Sequence, residues 1–244
     1  MNTKSENSAV GGNGKRARRG WADPQYLTTD LVLFTVEDRR LKVLLVRRVN
    51  EPFKGYWSLP GCFVLTEESL DQAAARLLQE KTGARDAYLE QLFTFGDTRR
   101  GPQLRVVTTA YYGLAPLDTL RSQPEREAAN TQLLPVGALP RLGFDHNKIV
   151  RVALERLRHK VNYTTICHQL LDDRFTLTDL QEVYEIILDQ RLDKRNFRKK
   201  MLQLGMLKDI HEINQEPTGR PARLYSFARQ GVVKLQERGI LVPF

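Results

Sequence analysis

Between Leu59 and Ala84 the chain reads LPGCFVLTEESLDQAAARLLQEKTGA, and this stretch limits the possible fold more than any other. It is a glycine turn, a short loop and then a helix. Leu70, Ala73, Ala74, Leu77 and Leu78 recur at helical spacing and make one apolar stripe. Ser69 with Gln72 three residues on has the form of a capping box, and Gly83 suits the left-handed position just past a helix end. The flanks read as strands. Thr28–Val36 and Leu41–Arg47 are β-rich runs joined by the polar turn Glu37–Arg40, as in a hairpin, and Tyr88–Phe95, Arg105–Leu114 and Thr131–Val136 read as further strands.

These residues resemble the Nudix box, whose pattern is Gly, five residues, Glu, seven residues, Arg-Glu, an apolar residue, any residue, Glu-Glu, any residue, Gly. Aligned back from Gly83, Glu68 takes the early Glu position, Arg76 the Arg and Glu80 the first Glu of the pair. The departures are Leu77 for the Glu after the Arg, Lys81 for the second Glu of the pair, and Cys62 for the opening Gly. The resemblance implies an α+β fold, a Nudix-like α/β/α sandwich with a mixed sheet. In the resembled hydrolases the helix carboxylates hold divalent metal against a pyrophosphate. Leu77 offers no oxygen and Lys81 brings a cation, so the expectation is no catalytic residue, no metal site, no required cofactor, and a pocket that binds rather than cleaves.

The loop Asn50–Trp57 brings aromatics and a lysine up to this box. Phe53, Lys54 and Trp57 suit stacking on a base and attraction to phosphate, or alternatively cap the core. The segment Gly96–Pro102 resembles, in reduced form, the Gly-Asp-Pro-x-Arg-Asp-Pro-Arg-Gly segment of ADP-ribose-type Nudix proteins. Arg99, Arg100 or Arg105 would fork onto a pyrophosphate, or else are surface charges. The ligand-binding set expected is therefore Phe53, Lys54, Trp57, Gly61, Arg76, Glu80, Asp97, Arg99 and Arg105. Residues 115–129 read as a polar connector. Phe144-Asp145-His146 precedes a helix from Asn147 to about Val161, with Asp145 as its side-chain cap or, more sharply, as part of a hinge.

At 244 residues the chain suggests two domains, and no apolar run approaches membrane-spanning length. Two distant cysteines, Cys62 and Cys167, fit a reduced cytoplasmic setting. The net charge of +9 is uneven: residues 1–20 hold five Lys/Arg against one Glu, and residues 151–244 hold 17 Lys/Arg against 12 Asp/Glu. The part between is neutral. Basic ends on a neutral body fit a polyanion-binding end joined to a sensing one. The expected boundaries are a basic tail at 1–23, whose run Lys15–Arg19 is a minor-groove arm or a solvated tail, a sensing domain at 24–145, a linking helix at 146–162 and a second domain at 163–244.

In that second domain Thr178 is expected to cap a helix to Leu188 carrying Leu180, Val183, Tyr184 and Ile187. A tight turn leads to a second helix, Asp193–Leu204, with Phe197, Met201 and Leu204 on one side and Lys194, Arg195, Asn196, Arg198, Lys199 and Lys200 on the rest. Strands Lys208–Glu212 and Arg223–Phe227 flank a Gly/Pro tip with Arg220 and Arg223, the form of a wing, and a closing helix is expected at 230–238. Arg and Asn pair with base edges while Lys mostly holds phosphate. FTLTDLQEVYE from Phe175, LDKRNFRKK from Leu192 and GRPARLY from Gly219 resemble the winged helix-turn-helix of the Nudix-related transcriptional regulators of NrtR type. The resemblance implies a homodimeric repressor of NAD metabolism genes that binds double-stranded operator DNA and leaves it when ADP-ribose binds. An active Mg-dependent ADP-ribose pyrophosphatase with a basic accessory domain is the alternative, and RNA binding a weaker third.

Overall fold

A computed structural model of the chain describes residues 25–84, 87–121, 130–214 and 221–228. The basic tail, the wing tip with Arg220 and the closing helix expected at 230–238 lie outside them. Strand β1 (Tyr26–Glu37) runs through the middle of the first domain, and its burial explains its composition. Leu31 and Leu33 face a core with Ala74, Leu77 and Leu78 of helix α1 (Leu70–Thr82). Val32 and Phe34 face another with Ile149, Ala153 and Leu157 of a helix over His146–Val161. Side chains alternate along a strand, so a strand covered on both faces is apolar at successive positions. Two helical layers on one sheet make the α/β/α sandwich.

The sheet has seven strands. β1 pairs antiparallel with β2 (Arg40–Arg47) and β4 (Gly61–Phe63), and parallel with β6 (Val106–Leu114). β2 also pairs with β3 (Trp57–Ser58) and β7 (Thr131–Pro135), and β6 with β5 (Tyr88–Phe95). The β1–β2 turn is two residues, Asp38 at φ 50° and Arg39 at φ 56°, the double left-handed geometry that matches strand twist. The capping box of α1 is formed in both directions between Ser69 and Gln72, and Gly83 ends the helix at φ 72°.

Three expectations need correction. The connector after β6 begins with a short helix, α2 (Leu117–Arg121), because Leu120 is buried against the α1 side of the sheet. The Asp145 side chain does not cap α3 (His146–Val161); its carboxylate faces buried Arg100 instead, where opposite charge outcompetes a backbone amide. The cap of α4 (Leu177–Leu188) is Thr176, not Thr178, because Thr176 and Asp179 form a reciprocal capping box that starts the helix two residues earlier.

The core around α3 continues into the second domain, where Leu157 and Val161 join Ile187, Tyr184 and Phe197. α4 ends at Asp189 in the left-handed conformation, φ 57°, and α5 (Lys194–Gln203) starts at the cap Asp193, which accepts the Asn196 amide. β8 (Phe175–Thr176), β10 (Ala222–Phe227) and β9 (Leu207–Asn214) form a three-stranded sheet in that order. Two helices joined by a tight turn and followed by a hairpin are a winged helix.

Candidate functional site

The outward face of α1 is built around Arg76. Its guanidinium donates to both oxygens of Glu68, at 3.0 and 2.6 Å, to Glu80 at 3.1 Å and to the Phe63 carbonyl at 3.2 Å. Helical spacing puts Arg76 and Glu80 one turn apart, and the preceding loop folds back to deliver Glu68, whose other contact is the Leu65 amide at 2.8 Å. Leu77 points the other way and is 1% exposed in the core. Cys62, at the opening glycine position, lies 3.6 Å from Arg76 through its sulfur, and burial raises its thiol pKa. Among the described residues no group of three His, Cys, Asp or Glu side chains is placed to share a metal ion.

The Arg76 side chain, with the Leu65 amide, holds the Glu68 carboxyl down at about 2, from an ordinary 4.5. A carboxyl depressed on folding contributes stability that is present above its unfolded pKa and lost as pH falls through the folded one. Glu68→Gln is therefore expected to flatten the acid limb of the stability curve between about pH 4.5 and pH 2, with little change in slope above pH 5. Urea denaturation across that range measures it.

A second cluster lies where α3 begins. Asp30, an acid in the middle of an apolar strand, is ion-paired with Arg100. Arg100 Nε lies 2.9 Å from Asp145 Oδ1. His146 is fully enclosed; its Nδ1 accepts the Leu59 amide at 2.9 Å and its Nε2 lies 3.7 Å from Asp30. Burial lowers the His146 pKa, so at neutral pH the ring is neutral, with its proton on Nε2. Phe53 and Trp57 are half-buried. The Phe53 ring packs 4.8 Å from Phe144, and Trp57 rests on the core. Lys54, Asp97 and Arg99 are exposed; Asp97 accepts the Arg99 amide on its carboxylate and the Arg105 guanidinium on its carbonyl, both at 2.9 Å.

The structure thus sorts the expected ligand residues into the Arg76–Glu80 face, the Phe53–Gly61 loop and the Asp97–Arg105 connector. Asp30 and His146 were not among them, although a lone Asp inside TTDLVLF was a signal that something buried must answer it. A cleft of about 640 Å³ opens elsewhere, between the β1–β2 turn, Pro135–Ala138, α3 and α4. None of the expected ligand residues lines it, and its acids are matched by arginines, Glu182 by Arg39 at 2.8 Å and Glu185 by Arg191 at 3.1 Å. It is the seam between the two domains.

On α5 the buried side is Phe197 and Met201, while Lys194, Arg195, Asn196 and Lys199 are exposed. Arg198 differs: it is half-buried, and it donates to Thr178 Oγ1 at 3.2 Å, tying α5 to the start of α4. Lys200 is half-buried. On the wing Arg223 is exposed and lies 3.1 Å from Asp209.

Fold and surface together define a protein with a Nudix-type sandwich joined through a shared helix to a winged helix with a basic second helix. Residues 26–153 match the NUDIX domain, and residues 167–227 match the NrtR DNA-binding winged helix domain. The ADPR responsive transcriptional repressor NtrR of Acinetobacter baylyi is 38% identical over 209 residues, 84% of this chain and 82% of that protein. The structure of Shewanella oneidensis NrtR complexed with a 27mer DNA superposes with a TM-score of 0.74 at 38% identity, covering 82% of this chain and 93% of that one. An ADP-ribose pyrophosphatase of Methanocaldococcus jannaschii is 29% identical over 128 residues, 52% of this chain and 73% of that protein. The chain belongs to the NrtR family of Nudix-related transcriptional regulators.

Proposed function

We propose that this protein is a DNA-binding transcriptional repressor of NAD metabolism genes, released from its operator when ADP-ribose or a related nucleotide binds the Nudix-type domain. The observation that carries the reading is the 38% identity to an ADPR-responsive repressor across both domains, in the same order. The exposed basic face of α5 supports it. Lys194, Arg195, Asn196 and Lys199 enter the major groove, with Arg195 and Asn196 on base edges, while Lys200, Arg220 and Arg223 serve the backbone. Arg198 stiffens the helix from behind. Two copies grip two half-sites of a palindrome as a homodimer in the cytoplasm. Phe53, Lys54, Trp57, Gly61, Arg76, Glu80, Asp97, Arg99 and Arg105 surround the nucleotide.

In this reading the Nudix domain senses and does not hydrolyse. A hard divalent cation needs several free oxygens, and Arg76 engages both oxygens of Glu68 and the Oε1 of Glu80. The donor set does not fit the metal that the fold's hydrolases use. The similarity to an ADP-ribose pyrophosphatase favours the hydrolase as the second reading.

One experiment separates them. Fluorescence anisotropy with a duplex from the promoter beside the protein's own gene is measured with and without ADP-ribose, and the same mixture is assayed for AMP release with Mg2+ or Mn2+. Tight duplex binding that ADP-ribose weakens, without AMP release, is the expected result. Rapid cleavage abolished by Glu80→Gln, with no duplex preference, would establish the hydrolase instead.

A further inference from the structure

Three segments that carry candidate nucleotide residues converge on Gly143–His146, where α3 begins. The loop before β3 arrives through Phe53, whose ring packs on Phe144, and through Trp57, whose carbonyl accepts the Gly143 amide at 2.8 Å. The turn at Leu59–Gly61 arrives twice. The Leu59 amide donates to His146, and Gly61 lies so close to Asp30 that a Cβ there would stand 2.5 Å from the carboxylate. The β5–β6 connector arrives through Arg100, which meets both Asp30 and Asp145.

This meeting point is buried and under constraint. Asp30, Arg100 and His146 are 5%, 7% and 3% exposed, so the Asp30 and Arg100 charges and the His146 ring have little water to turn to. Phe144 holds φ 56°, a left-handed conformation that a residue with a bulky side chain seldom adopts. It is kept there by Phe53, by the His146 ring at 5.2 Å and by the Arg48 guanidinium over its face at 4.8 Å. Arg100 Nε and Asp145 Oδ1, although 2.9 Å apart, are too poorly aligned to form a hydrogen bond, and neither has another partner. A strained residue beside an imperfect buried ion pair is a contact that a small displacement improves or breaks.

At its other end α3 is tied to the winged helix. Leu157 and Val161 lie in the core that includes Ile187, and Arg158 donates to the Ile187 carbonyl at 2.9 Å. Glu90 on β5 holds the same end of α3 to the sheet through Lys160 and through Arg156 at 3.4 Å. α3 thus touches the nucleotide-side segments at its head, and the sheet and α4 at its other end.

We propose that Phe144, Asp145 and His146, with Asp30 and Arg100, form the joint through which nucleotide occupancy sets the direction of α3 and so the fit of the winged helix to DNA. This rests on the reading that ADP-ribose releases DNA. Asp145 and Phe144 are positioning residues, and their substitution alters the coupling between two sites while the sites themselves persist.

Asp145→Asn keeps the shape and removes the charge facing Arg100; Phe144→Leu removes the stacking. In each variant, ADP-ribose affinity by calorimetry and duplex affinity without nucleotide are expected within about threefold of the parent, while the nucleotide-induced loss of duplex affinity shrinks at least about fivefold, the lower end of typical allosteric coupling. An unchanged loss in a folded variant overturns the proposal. A second arm needs no nucleotide: hydrogen–deuterium exchange of free Asp145→Asn is expected to rise together in residues 53–61, 97–101 and 143–150. A rise confined to 143–150 also overturns it. Should the parent ignore ADP-ribose yet the three segments loosen together, the effector assignment fails and the joint is supported.

Discussion

Replacing Phe197 by alanine is expected to destabilise the DNA-reading domain by about 3–5 kcal/mol, the range for truncating a fully enclosed aromatic. The ring is 1% exposed and packs edge-on against Tyr184 at 5.3 Å, so it holds α5 on α4. Whole domains are stable by only about 5–15 kcal/mol, which makes this a large fraction of what keeps the recognition helix in place. Urea denaturation followed by circular dichroism should show an earlier transition, and duplex binding should fall for every sequence alike. A loss below about 1 kcal/mol would mean that α5 is not held by this contact.

On the opposite face of the same helix, Arg195→Ala is expected to have the reverse profile. Arg195 is exposed, so its removal leaves thermal stability nearly unchanged. A guanidinium bidentate on a guanine edge is worth about 1–3 kcal/mol, so operator affinity should drop roughly 5- to 150-fold. ADP-ribose affinity should stay the same by calorimetry. The loss should also be specific: unrelated duplex, bound mainly through phosphates, should weaken far less than operator. Equal weakening on both would move Arg195 from base recognition to backbone contact.

These two residues also show how much was open to reading without coordinates. Phe197 and Met201 stand four apart, and Arg195 stands off their stripe, so helix period alone separates the buried side from the exposed one. Arg198 was not separable in this way. It lies at the flank of the stripe, and only the approach of Thr178 on α4 turns it from a groove-facing cation into a tie between helices. The cap at Thr176 was missed because two adjacent ends both offered a threonine; the acid three residues on, Asp179, selects the first.

The same division runs through both domains. What local sequence determined was the set of elements: α1 between a capping box and Gly83, the hairpin of β1 and β2, and the basic helix followed by a wing. These depend on periodicity, caps and turn residues, which act over a few positions. What tertiary structure alone decided was where the charges went. Asp30, Arg100 and Asp145 stand in a strand, a loop and a helix start, and the sheet brings them together. Arg76 meets Glu68 only because the folded loop delivers that carboxylate to it. Coulomb attraction depends on distance through space and on exclusion of water, and neither quantity is written in the spacing of residues along the chain.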